Sequence, residues 1–194
     1  MTAASKPGER RLQILQTIAE LLENPDGEKV TTALLAKKLD VSEAALYRHF
    51  ASKAQMYEGL IEFIESSLFS VINQITTEEE DGLRQAELTM GTLLAFAQKN
   101  KGLTRVLIGD ALVHENPRLQ ARINQLLDRV EASLRQSLRI AATQGKLAGD
   151  HDFSAHATVM LCHVVGCWHR FVKSGFRSDP LAAWPAHWQV LSSQ

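Results

Sequence analysis

Apolar residues recur at helical spacing along most of this chain, and polar or turn-forming runs cut the pattern into separate segments. Leu12, Leu15, Ile18, Ala19 and Leu22 mark a helix over residues 10–23, and Asn24-Pro25-Asp26-Gly27 stops it with turn chemistry. Leu34, Leu35, Ala36 and Leu39 form one face of a short helix; Asp40-Val41-Ser42 interrupts it, and Ala45, Leu46 and Phe50 face inward on the next. Ser52, with Gln55 following, is a capping box that opens a long helix to about Ile75. Residues 76–81 read as an acidic loop or the frayed end of that helix, and 83–99 as a helix burying Leu83, Ala86, Met90, Leu93, Leu94 and Ala97. Asn100-Lys101-Gly102 ends that helix, with Gly102 expected in the left-handed conformation beyond it.

A shorter helix is predicted over 103–113. Asn116-Pro117, an N-cap followed by proline at the first helical position, opens the clearest amphipathic helix of the chain. Its stripe is Leu119, Ile123, Leu126, Leu127, Val130, Leu134 and Leu138, and the glycines of 145–149 break it. Asp152 or Ser154 caps a last long helix to about Lys173, and the tail with Trp184, Pro185 and Trp188 follows no clear period. No strand-like alternation of any length occurs. The fold class is all-α, with an N-terminal three-helix domain in 1–50 and a C-terminal helical domain in 51–194.

The segment 31–53 carries the chemistry. Ser42 suits an N-cap and Glu43 the positive end of a helix. Burying Leu46 and Phe50 leaves Ala44, Tyr47, Arg48 and His49 outward. Small residues followed by an aromatic, an arginine and a histidine on a short helix suit the major groove of DNA. Two short helices joined by a capped turn also occur in ordinary helical proteins, so spacing alone leaves DNA binding open.

The 194 residues, 45% hydrophobic and 22% charged, have the make-up of an ordinary globular chain. The net charge of −1 does not point to nucleic acid, but 29–53 holds Lys29, Lys37, Lys38, Arg48 and Lys53 against only Asp40 and Glu43. Arg10 and Arg11 add charge nearby. The two cysteines, Cys162 and Cys167, are poorly spaced for a disulfide within one helix. With no apolar leader in the N-terminal segment and no convincing membrane span, a cytoplasmic protein is expected.

The ordered string Val41-Ser42, Leu46-Tyr47-Arg48-His49-Phe50 and Ser52-Lys53 resembles the DNA-binding segment of the TetR family. The runs 42–53, 60–68, 100–105 and 121–136 further resemble the nucleoid-occlusion branch of that family. The resemblance implies a TetR-like fold and a homodimer that presents two recognition helices to palindromic double-stranded DNA, as paired dimers on the chromosome. It implies that Tyr47 and His49 contact phosphates or base edges, with Arg48 reading guanine. Lys53 would hold a phosphate at its helix start, while Thr31, Thr32, Ser42 and Ala44 complete the DNA face. Asp40 stands where the family usually has glycine, and aspartate tolerates the left-handed turn required there.

The same branch antagonises FtsZ, the tubulin-like division GTPase, by holding its flexible C-terminal tail. On that resemblance Phe63, Lys99 and Asn100 are the tail-binding residues, suited to a short, partly acidic peptide. Val71 and Ala95 depart from an arginine and a glycine expected there. The protein is thus expected to be nucleoid-associated. The competing expectation is a ligand-released repressor whose apolar pocket is lined by Met90, Phe96, Leu107 and Trp168.

The helix over 154–173 is apolar on more than one face, so it needs a second cover, and a second copy of the chain is the natural one. His156, His163 and Cys167 share a face of it, as metal ligands would, but such residues more often belong to a core or interface. No metal, cofactor or catalytic group is assigned. The sequence has no glycine-rich phosphate loop and no nucleophile motif.

Overall fold

Caps and close helix contacts set the architecture. In a computed structural model describing residues 7–24, 29–148 and 150–193, no strand occurs among those residues. Helices α1 (Pro7–Leu22), α2 (Thr32–Lys38) and α3 (Glu43–Tyr47) form an N-terminal unit. Helix α4 (Lys53–Glu78) leads from it into a body of α5 (Gly82–Lys99), α6 (Lys101–Leu107), α7 (Pro117–Thr143), α8 (Phe153–Lys173) and α9 (Trp184–Ser192). A single 3-10 turn, Asp110–Leu112, stands between α6 and α7. No helix among the described residues is long and apolar enough to cross a membrane.

The amphipathic stripe of α7 packs between α5 and α8. Leu119, Ile123, Leu126, Val130, Leu134 and Leu138 are all at most 1% exposed. Trp168 of α8 is fully buried, and its indole Nε1 donates to the Leu93 carbonyl at 3.0 Å. Burying the indole therefore leaves no donor unmet. One continuous cluster of buried apolar side chains runs from Ile14 in α1 to Trp168 in α8. The N-terminal unit is fused to the body through its core.

Several expectations need correction. Gly102 does not terminate a helix in the left-handed region; it lies inside α6. A Cβ there would fall 2.0 Å from the Ala19 carbonyl oxygen, so glycine is required by the close approach of α1 to α6. The left-handed residue is Gly109, at φ 77°, and it splits the segment expected as one helix over 103–113. Residues 76–78 continue α4, and Asp81 then caps α5 by accepting from the amides of Leu83 and Arg84. The unassigned tail forms α9. Asp40 adopts φ 53°, the left-handed turn conformation expected of it. The expected stop at Pro25-Asp26-Gly27 and Gly149 of the later break lie outside the described residues.

Two polar links join unit and body. Arg105 of α6 donates through Nη1 to the carbonyls of Leu22, 3.2 Å, and Asn24, 3.1 Å, at the end of α1. Its Nε donates to Asp110 at 2.7 Å. A cation at the carbonyl end of a helix also favours its dipole. The second link is Glu115, just before α7, which accepts from Lys53 at 2.5 Å and lies 3.9 Å from Lys29.

Candidate nucleic-acid interface

Local caps build the recognition unit. Thr31 accepts from the Leu34 amide at 3.1 Å and starts α2; Ser42 accepts from the Ala45 amide at 3.3 Å and starts α3. Thr32 Oγ1 donates to the Glu43 carboxylate at 2.5 Å, tying the two helix starts together. Leu46 and Phe50 are 1% exposed and anchor α3 to the core. Arg11 closes the far end: it donates to the His49 carbonyl at 2.7 Å and lies 4.3 Å over the Phe50 ring.

That anchoring turns Ser42, Ala44, Tyr47 and Arg48 to solvent, with His49 half-buried beside them. Tyr47 is 46% exposed, which makes it a surface side chain and not part of the core. Lys37 and Lys38 at the end of α2 and Arg48 at the end of α3 are exposed and have no ion pair among the described residues. Lys53 differs. It is held by Glu115 and lies 5.5 Å from the centre of the Tyr57 ring, so in the free chain its ammonium is engaged by the body. Burial, and then the Glu115 charge, push the Tyr57 phenol well above its ordinary range, leaving that ring a neutral platform.

The residues expected to hold a peptide fall in a second place. Phe63 is 46% exposed on α4 and lines an open groove of about 450 Å³. Leu12, Leu15 and Ala19 of α1 form the facing wall, and Asn100 and Leu103 close one end. Asn100 sits at the α5–α6 break, where its side-chain amide donates to the Phe96 carbonyl at 2.8 Å. Lys99 is exposed beside it but does not line the groove. The charged residues that do are Glu20 and Glu23. The groove therefore offers an apolar seat flanked by two carboxylates, with the exposed Lys99 ammonium just outside its lining.

The repressor-type pocket is filled at the positions expected to line it. Met90 and Trp168 are 0% exposed and Leu107 is 1% exposed, all within the packed core, with Phe96 against it.

Comparison with known proteins agrees with this geometry. Residues 14–60 match the family described as bacterial regulatory proteins, tetR family. Residues 80–194 match an SlmA-like family, described as tetracyclin repressor-like, C-terminal domain. The chain is 51% identical to the nucleoid occlusion factor SlmA of Vibrio cholerae, over 99% of this chain and 98% of that one. It is 48% identical to SlmA of Aliivibrio fischeri, over 100% and 99%. The chain belongs to the TetR family, in its SlmA branch. A TetR-family transcriptional regulator from Agrobacterium tumefaciens shares the fold at TM-score 0.79 and 16% identity, covering 97% of this chain and 98% of that one.

Within this SlmA-type fold, sequence reasoning missed Arg11, Arg105 and Glu115. Each is a charged residue whose partner lies far along the chain, so no local pattern announces it. The only legible hint was the charge of Arg10 and Arg11 beside the helix-turn-helix. Arg11 in fact braces His49 and Phe50, and Arg10 donates to Gln13 at 2.5 Å.

Proposed function

We propose that this protein is a nucleoid-occlusion factor that binds palindromic chromosomal DNA as a homodimer and, when bound, antagonises FtsZ assembly, keeping the septum from closing over the nucleoid. The observation that carries this reading is the shared wall: α1 braces the recognition helix through Arg11 and also forms one side of the Phe63 groove. Docking of α3 into a major groove pulls on α1 and reshapes the peptide groove, so DNA occupancy and FtsZ binding become coupled. Tyr47, Arg48 and His49 meet the DNA, with Thr31, Thr32, Ser42 and Ala44 around them. Lys53 reaches a phosphate by exchanging its partner Glu115. In the groove, Phe63 and Asn100 engage the FtsZ C-terminal tail while Glu20 and Glu23 face its cations. The dimer forms through α7 and α8, whose outer face leaves Val159 56% exposed alongside Ala155, Cys162 and Gly166. Paired dimers on DNA and a cytoplasmic, nucleoid-associated location follow from this reading.

The test separates the two sites. Phe63→Ala or Asn100→Asp should abolish DNA-stimulated inhibition of FtsZ polymerisation, read by light scattering, while DNA affinity stays within about twofold. Equal loss of both activities in a folded dimer would refute separate sites. Genome-wide occupancy should show many palindromic sites away from promoters; one or a few promoter sites would identify a local repressor instead.

A further inference from the structure

Three side chains outside both surfaces converge at the edge of the body. His163 and Cys167 lie four residues apart on α8, a spacing that puts them on one helix face. His187 reaches them from α9. The ligand-competent atoms of all three lie within 4.8 Å of one another, and all three residues are half-buried. His156, which the spacing along α8 would have grouped with them, is engaged elsewhere: it contacts His151 at 2.8 Å and the Leu191 carbonyl at 2.7 Å.

We propose that His163, Cys167 and His187 form a binding site for a zinc-class divalent metal ion that clasps α9 to α8. A zinc–sulfur bond of about 2.3 Å and a zinc–nitrogen bond of about 2.0–2.1 Å, at the tetrahedral angle, set sulfur and nitrogen about 3.6 Å apart. The Cys167 sulfur and His163 Nε2 are 3.6 Å apart. The third donor is also prepared, because Nδ1 of His187 is buried and has no hydrogen-bond partner among the described residues. A buried ring nitrogen without a partner costs free energy, and a metal would satisfy it. Ligation by Cys167 takes the thiolate, so its thiol proton leaves to solvent as the metal binds. Three protein ligands leave a fourth position on a tetrahedral ion.

Helix α9 has a use for such a clasp. None of its residues is fully buried, and its N-cap makes no side-chain hydrogen bond. Its hold on the body rests on partly buried Trp184, Trp188 and Leu191 together with the Leu191–His156 contact. A metal shared between α8 and α9 pins this weakly held element beside the outer face of α8.

The experiment titrates the metal-free, full-length protein with Co(II) and follows its absorption spectrum. The expected result is one Co(II) per chain, with tetrahedral ligand-field bands and a thiolate-to-cobalt charge-transfer band, both displaced by Zn(II). Cys167→Ser should remove the charge-transfer band, and Cys162→Ser should keep it. His187→Gln, on a helix with no buried residue, should keep the helical circular dichroism while weakening binding by more than the roughly ten- to hundredfold typical of a lost outer-shell partner. An octahedral spectrum without charge transfer in the wild-type chain, or a charge-transfer band that survives Cys167→Ser, overturns the proposal. So does binding by His187→Gln that equals the wild type.

Discussion

The helix-turn-helix and the α8–α9 edge are both small surfaces carrying polar chemistry, yet they are built in opposite ways. In the first, the outward residues and most of their supports lie within one stretch of chain: Ser42 caps the helix that bears Tyr47 and Thr32 ties α2 to Glu43, with Arg11 of α1 bracing the far end. In the second, α8 supplies two donors and a helix beginning eleven residues beyond its end supplies the third. The groove beside Phe63 follows the second pattern, with walls from α1, α4 and α6. Sites organised locally can be read from periodicity, whereas sites organised by packing depend on which helix faces meet.

Breaking the body should have the largest effect. Trp168→Ala removes a fully buried ring from the core shared by α5 and α8 and should cost about 3–5 kcal/mol of stability, measured by chemical denaturation. Gly102→Ala acts at the joint between the regions. Its Cβ meets backbone in α1, so it should destabilise by about 1–3 kcal/mol and weaken DNA binding, though Gly102 lies outside the helix-turn-helix. An unchanged melting temperature would show that α1 and α6 separate without cost.

Within the recognition unit, Ser42→Ala removes one cap and should cost about 1 kcal/mol, with a visible loss of DNA affinity. The α8–α9 edge has its own probe, pH. The Leu191 carbonyl can only accept, so His156 must donate to it from Nε2 and accept from His151 at Nδ1. Burial holds the His156 pKa below its ordinary value, the Leu191 bond opposing and the His151 charge reinforcing that shift. The resulting stability is complete above the unfolded value of about 6.5 and is lost as pH falls through the lower folded value. Acidification should therefore loosen α9, seen as a change in tryptophan fluorescence, and His156→Gln should flatten that response. Tyr47→Ala should disturb the fold least, by no more than about 0.5 kcal/mol, while clearly weakening DNA binding; a collapsed thermal transition would mean that the ring is structural.

Much of the chain was legible because a helix writes its buried face and its caps into adjacent residues. The α7 stripe, the Ser42, Ser52 and Asn116 caps, the left-handed Asp40 and the outward Tyr47 all follow from short-range pattern. Family membership was legible too, because the recognition string is continuous. What periodicity could not supply was the role of residues that act across the fold. Gly102 looked like a helix stop because glycine is favoured there, and only the approach of Ala19 shows that it is a contact point. No local pattern pairs Lys53 with Glu115, and helix spacing groups His163 with His156, where the fold sets it beside His187. Short-range pattern was enough for the helices, their inner faces and the outward residues of α3, since those depend on neighbours a turn apart. Only the tertiary structure decided the joint, the groove and the His–Cys–His cluster, since each depends on contacts between helices distant along the chain.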